Sequence, residues 1–111
     1  KKQSGKYKAV ASGAITNGKP VLVNANGTVS QVSGSVTLTT ENFIGIASGG
    51  TYASAAEATI DVVGTVNKDQ TSLTAGQTYF VQTDGTLGTS ADDPSVVAGT
   101  AISATELIVK G

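Results

Sequence analysis

The side chains that most often carry out catalysis are missing from this sequence. It has no histidine, cysteine or arginine, so the commonest general base, the best nucleophile and the usual clamp for anions are absent. Motifs of serine hydrolases, zinc proteases and P-loop enzymes are absent too. We therefore expect no catalytic residue, metal, cofactor or small-molecule substrate. The remaining enzymatic alternative is a small hydrolase that uses two carboxylates, drawn from Glu41, Glu57, Asp61, Asp69, Asp84, Asp92, Asp93 and Glu106.

One pair of carboxylates is adjacent in the sequence. Asp92 and Asp93 stand directly before Pro94, and Asp and Pro are both typical of turns. We interpret the pair as part of a solvated turn. The alternative is a weak cation site, because carboxylate oxygens are the ligands that calcium prefers.

Charge and hydropathy exclude two classes of partner. The net charge is −1 and the isoelectric point is about 5.1, which argues against nonspecific binding to nucleic acid. No apolar run reaches the roughly eighteen residues that a membrane-spanning helix needs. Because the chain opens with Lys1 rather than Met, we expect it to be a segment of a longer product.

Positive charge is concentrated at the start of the chain. Four of the seven lysines fall in the first eight residues, and the rest of the chain carries eight carboxylates against three lysines. We predict a basic arm over residues 1–12 that docks on an acidic surface and adds a strand to an exposed sheet edge; the alternative is a solvated terminus that contacts nothing. Tyr52, which stands between Gly50 and Ala53, is a further candidate for a subunit interface. The candidate contacts are Lys1, Lys2, Lys6, Tyr7, Lys8 and Tyr52.

The sequence contains an internal repeat. Residues 15–29 (ITNGKPVLVNANGTV) align without a gap with residues 73–87 (LTAGQTYFVQTDGTL). The similarity continues, in the same order, from FIGIA to VAGTA and from TIDVVG to ELIVKG. Three matches in one order indicate a duplication. The identical pairs are Thr16/Thr74, Gly18/Gly76, Val23/Val81, Gly27/Gly85 and Thr28/Thr86.

Each copy predicts short strands separated by tight turns. Val, Ile and Thr favour pleated strands, and Gly supplies the positive φ of turns. Asn26-Gly27 and its counterpart Asp84-Gly85 predict two-residue hairpins with type I′ turns. The glycine of FIGIA predicts a bulge or a close backbone approach. The one helical candidate, residues 52–58 (YASAAEA), is too short to be stable alone. The predicted strands include 20–24, 58–63, 78–82 and 106–110.

These elements predict the fold class. We expect an all-β domain with little helix, a small β-sandwich or barrel of eight to ten strands with internal two-fold pseudo-symmetry. The domain covers residues 13–111, and its two halves span about 13–66 and 67–111.

Three segments in this order resemble a known family. GKPVLVNANGTVSQV (18–32), NFIGIASG (42–49) and EATIDVVGTV (57–66) are similar to small bacteriophage head decoration proteins of the lambda-like β-tulip type. The end of lambda-type members resembles VVAGTAIS (96–103). Residues 73–111 also resemble C-terminal modules of tail-fibre-like structural proteins of marine phages.

The resemblance implies a function without catalysis. It implies a homotrimer on the exterior of the virion that binds the lattice of the major capsid protein and stabilises the shell. Two alternatives remain open. In the first alternative the chain is a domain of a tail fibre or head fibre. In the second it is a glycan-binding adhesion module.

Overall fold

The predicted β runs form ten strands. The computed structural model describes residues 6–110, and within this range the chain forms no helix. The strands, in chain order, are β1 (Lys6–Val10), β2 (Pro20–Val23), β3 (Val29–Gln31), β4 (Phe43–Ser48), β5 (Glu57–Val62), β6 (Val66–Asn67), β7 (Thr78–Val81), β8 (Leu87–Gly88), β9 (Val97–Ala101) and β10 (Leu107–Val109).

The strands build two antiparallel sheets with the same order. The first sheet runs β1-β5-β4-β2-β3 and the second runs β6-β10-β9-β7-β8. Each sheet therefore uses one copy of the repeat, and each copy begins with an edge strand. The all-β prediction is confirmed, and the two similar sheets agree with duplication. The first sheet takes in Lys6–Val10, which the sequence analysis placed in the N-terminal arm.

Backbone hydrogen bonds repeat between the copies. The amide of Gly18 donates to the carbonyl of Ala47, and the amide of Gly76 donates to the carbonyl of Ala101. The equivalent bonds extend to the hairpins, where Asn24 N donates to Thr28 O and Gln82 N donates to Thr86 O, both at 2.8 Å.

A β-bulge interrupts the same strand pair in each sheet. Val21 lies opposite Gly45 and Leu22 lies opposite Phe43, so Ile44 is an extra residue on β4. The second sheet has the same shift between Tyr79 and Phe80. A Cβ on Gly45 would stand 2.1 Å from the carbonyl oxygen of Asp61. The predicted bulge and close approach are both confirmed.

The hairpin at Asn26-Gly27 is present, but the predicted type I′ turn is wrong. That turn needs positive φ at both central residues, and in each hairpin only the glycine has it, Gly27 at 87° and Gly85 at 92°. The same prediction for Asp84-Gly85 is therefore wrong too. The Gly27 amide donates to Asn24 O, which gives a three-residue loop with glycine in the left-handed position. The Asn26 side chain favours this turn because its Oδ1 accepts hydrogen bonds from N and Oγ1 of Thr28.

Two apolar cores stabilise the two sheets. One lies within the first sheet, which curls until Ala11, just beyond β1, forms a bridge with Val29 of β3. The other joins the outer face of the first sheet to the second sheet. The first core contains Ala9, Ala11, Ile15, Val21, Val29, Ala47, Ala58 and Ile60. The second contains Leu22, Val32, Leu38, Ile46, Tyr79, Val81, Val96, Ala98, Ala101, Leu107 and Val109.

Both faces of the first sheet are therefore covered. Alternation along β5 places Ile60 in the inner core and Asp61 on the opposite face. That face meets the second sheet, so Asp61 is only 1% exposed.

Candidate partner-binding surface

The basic segment at the start of the chain forms an edge strand. β1 pairs with β5 along its length, and no other strand within residues 6–110 pairs with its outer side. An edge of this kind presents backbone donors and acceptors to an incoming strand.

Successive side chains of β1 point to opposite faces of the first sheet, and of the five only Ala9 is buried. Tyr7 lies opposite Ile60 and is 45% exposed, while Lys8 lies opposite Thr59 and is exposed. Lys6 forms an ion pair with Asp61. The edge therefore offers one aromatic ring and one lysine to a partner, and its other lysine is engaged within the chain.

An apolar groove of about 590 Å³ adjoins this edge. The bulge places Ile44 in its wall, and Val63, which follows β5, is 57% exposed. Apolar side chains in a groove beside an open edge are the features that strand-addition sites use for affinity and specificity. The groove is lined by Lys6, Tyr7, Val23, Phe43, Ile44, Val62 and Val63.

We name Lys6, Tyr7 and Lys8 together with this groove the β1 surface. It unites three of the residues that the sequence singled out. Lys1 and Lys2 lie outside the described residues, so their place remains a prediction. Tyr52 does not line the groove: its hydroxyl donates to the carbonyl oxygen of Ser48 at 2.6 Å.

Tyr52 also forms a backbone bridge with Ile15, so the segment that was a helical candidate is a loop attached to the first core. Tyr52 lines a pocket of about 470 Å³ together with Lys6, Asp61 and Asp69. The role of Tyr52 at a subunit interface stays a prediction.

A buried polar network lies beneath the β1 surface. Asp61 pairs with Lys6 through Oδ1 and accepts a hydrogen bond from Asn67 Nδ2 through Oδ2 at 2.9 Å. Asn67 is completely buried, and its Oδ1 accepts hydrogen bonds from the amide of Asp69 and from Nε2 of Gln70. The network joins β1 and β5 of the first sheet to β6 of the second.

Sequence reasoning missed the polar and apolar parts of this region for different reasons. Asp61 interrupts an apolar run, and alternation along one strand does not show that the second sheet covers the face on which Asp61 lies. Ile44 enters the groove through the bulge, whose effect on one side chain the sequence pattern does not specify.

The paired carboxylates lie in the connection between β8 and β9, as the turn interpretation predicts. Asp92 Oδ2 accepts a hydrogen bond from Thr83 N at 2.8 Å, and Asp92 Oδ1 accepts one from Asp93 N. The bonds from Thr83 and Asp93 lower the pKa of Asp92. Among residues 6–110 no group of three or more acidic side chains is placed to hold a metal ion.

Comparisons with known proteins give no further identification. No family model matches the chain, and no curated protein matches it. In the part of the chain that the structure describes, no helix has the length and apolar character to cross a membrane.

Proposed function

We propose that this chain is a virion structural protein of a bacteriophage that decorates the outside of the head and stabilises the shell. The observation that carries the proposal is the β1 surface, a basic edge strand whose outer side pairs with no other strand of residues 6–110 and which lies beside an apolar groove. The resemblance of residues 18–32, 42–49 and 57–66 to head decoration proteins adds the identity of the partner, the major capsid protein.

The chemistry of the β1 surface defines the segment that binds it. An extended chain pairs with the backbone of β1, one apolar side chain enters the groove beside Val63, and an acidic side chain approaches Lys8. Exposed loops and arms of a capsid subunit can present such a strand. Main-chain bonds supply affinity, and the groove supplies specificity.

Shell stabilisation follows from mass action. A protein that binds the assembled lattice and not the free subunit lowers the free energy of the assembled state. A homotrimer that holds three neighbouring subunits gains avidity, because its second and third contacts form at a high effective concentration.

The experiment is co-sedimentation with expanded heads of the phage that carries the gene. The wild-type protein is expected to pellet with the heads. Val63→Asp is expected to lower the bound fraction at least tenfold at limiting protein, because a carboxylate in the apolar groove loses its hydration. Ile102→Asp is the matched control: Ile102 is 51% exposed and does not line the groove.

Charge supplies a second comparison in the same assay. Lys8→Glu is expected to weaken binding more at low salt than at high salt, because ions screen exposed charges. Lys110→Glu, at an exposed site on the other sheet, is expected to bind like the wild type. Failure of the wild-type protein to sediment with heads contradicts the proposal, as does equal binding by Val63→Asp and Ile102→Asp.

A further inference from the structure

Three side chains of the buried network have the chemistry of a cross-linking site. Lys6 supplies an amine, Asn67 supplies a carboxamide, and the carboxylate of Asp61 contacts both. Asn67 is completely buried, the Asp61 side chain is 2% exposed and the Lys6 side chain is 42% exposed. A buried carboxylate that contacts both an amine and an amide can transfer protons between them.

The strand pair that Lys6 and Asp61 join does not require charged residues. Val62 lies opposite Gly45 as Val109 lies opposite Gly99, so Asp61 and Ile108, one residue earlier, hold equivalent positions. Lys6 pairs with Asp61 on the neighbouring strand, and the equivalent pair in the second sheet is Val66 with Ile108. The second copy thus forms the same strand pair with two apolar side chains. The ion pair is an addition peculiar to the first copy.

The amide of Asn67 is held in a fixed and polarised state. Its Oδ1 accepts hydrogen bonds from Asp69 N at 3.1 Å and from Gln70 Nε2 at 3.0 Å. Two donors at a carbonyl oxygen stabilise the negative charge that develops there when a nucleophile attacks the carbon. The amide nitrogen Nδ2 of Asn67, which is the leaving group of such an attack, donates a hydrogen bond to Asp61 Oδ2.

We propose that Lys6 and Asn67 form an intramolecular isopeptide bond with Asp61 as the proton carrier. Asp61 takes a proton from the lysine ammonium, and the free amine Nζ attacks Cγ of Asn67. The Nζ–Cγ bond forms, Asp61 passes protons from Nζ to Nδ2, and the Cγ–Nδ2 bond breaks. Nitrogen leaves as ammonium, the carboxylate of Asp61 is restored, and no oxidant or cofactor takes part.

The bond joins the two sheets covalently. Lys6 belongs to β1 and Asn67 to β6, the first strands of the two copies. A link there prevents β1 from separating from the rest of the molecule when force acts on the N-terminal segment. This inference is independent of the capsid proposal, because the bond forms within one chain.

The experiment is intact-mass measurement of the denatured full chain, followed by tryptic mapping. The wild-type protein is expected to be one ammonia molecule lighter than its sequence requires. A branched peptide that joins Lys6 to Asn67 is also expected. The map is essential because succinimides at Asn17-Gly18 and Asn26-Gly27 also release ammonia. A lighter chain without the branched peptide overturns the proposal, and so does a wild-type chain of full mass.

Two lysine variants supply the matched comparison. Lys6→Arg keeps a positive charge beside Asp61 but is not a nucleophile, so this variant is expected to keep its full mass. Lys8→Arg makes the same change two residues away and is expected to lose ammonia as the wild type does. Asp61→Asn removes the proton carrier and is expected to keep its full mass. A branched peptide in Asp61→Asn overturns the assigned role of Asp61.

Discussion

At Gly45 and Gly99 a backbone carbonyl occupies the space of a side chain. A Cβ on Gly45 would stand 2.1 Å from Asp61 O, and one on Gly99 would stand 1.9 Å from Ile108 O. Both distances are far shorter than any van der Waals contact. These glycines let the bulged strand approach its neighbour, which explains why the motif occurs in both copies.

Substitution of these glycines is expected to destabilise both sheets. Gly45→Ala and Gly99→Ala should each lower the free energy of unfolding by about 3 kcal/mol, the upper part of the range for overpacking, because backbone must move. Gly34→Ala is the control, since nothing lies within 4 Å of its Cβ position; it should change stability by less than about 0.5 kcal/mol. Urea unfolding measures all three, and a Gly45→Ala protein as stable as Gly34→Ala would refute the steric explanation.

The sequence predicted the bulge or close backbone approach at the glycine of FIGIA, but it did not predict the buried polar network around Asp61. A glycine inside a β run signals a bulge whatever surrounds it. The environment of Asp61 depends on which face the second sheet covers, and alternation within one strand carries no such information. Only contacts between the two copies bring Asn67 to Asp61.

At the scale of elements, the two hairpin turns differ by one titratable group. Asn26 Oδ1 accepts hydrogen bonds from Thr28 N and Oγ1, and Asp84 Oδ1 accepts the same bonds from Thr86. The bonds from Thr86 lower the pKa of Asp84 below its ordinary value of 3.8. We therefore expect the second turn, and not the first, to lose stability in acid.

The direction of the pH effect follows from this shift. A carboxyl group whose pKa is lower in the folded state stabilises the protein above its unfolded value, and the stabilisation disappears as the pH falls through the folded value. Asp84→Asn should therefore remove part of the stability loss below about pH 4. Asn26→Asp should add a loss in the same range. Urea unfolding at pH 7 and pH 2 measures both, and equal acid sensitivity of the two variants would contradict the role given to the turns.

Strands and turns were predictable to different degrees. Apolar β-branched runs placed β2, β5, β7 and β10 within one or two residues of their observed ends. The turn type was not predictable from the dipeptide, because the side-chain bond of Asn26 favours a longer loop. The sequence analysis assigned no strand to β1 (KYKAV). This strand forms because the first sheet supplies an edge and Ala9 enters its core.

At the scale of the whole molecule, the core between the sheets makes the two copies one cooperative unit. Leu22 and Ile46 of the first sheet pack with Tyr79 and Leu107 of the second. Neither sheet can lose this contact without exposing apolar surface of the other. We therefore expect one unfolding transition for the whole chain.

Equivalent truncations in the two sheets test this cooperativity. Ile60→Ala and Leu107→Ala each remove a fully buried side chain and should each cost about 2–5 kcal/mol. In urea titrations followed by NMR, amide signals of both sheets should vanish at one midpoint in each variant. Separate midpoints for the two sheets would show that the copies fold independently.

We propose a β domain that works by attachment. In this proposal the β1 surface supplies the contact, and a homotrimer on the lattice supplies avidity. Location on the virion separates this account from the two alternatives. A fibre domain lies on a fibre, and an adhesion module binds glycans in an array with no head present.

Cryo-electron microscopy of the phage particle tests the central claim most directly. The account predicts density for this chain on the outer surface of the head, repeated with the symmetry of the lattice, with β1 against the capsid protein. Density confined to a fibre or the tail, or a particle whose head lacks the chain, would contradict it.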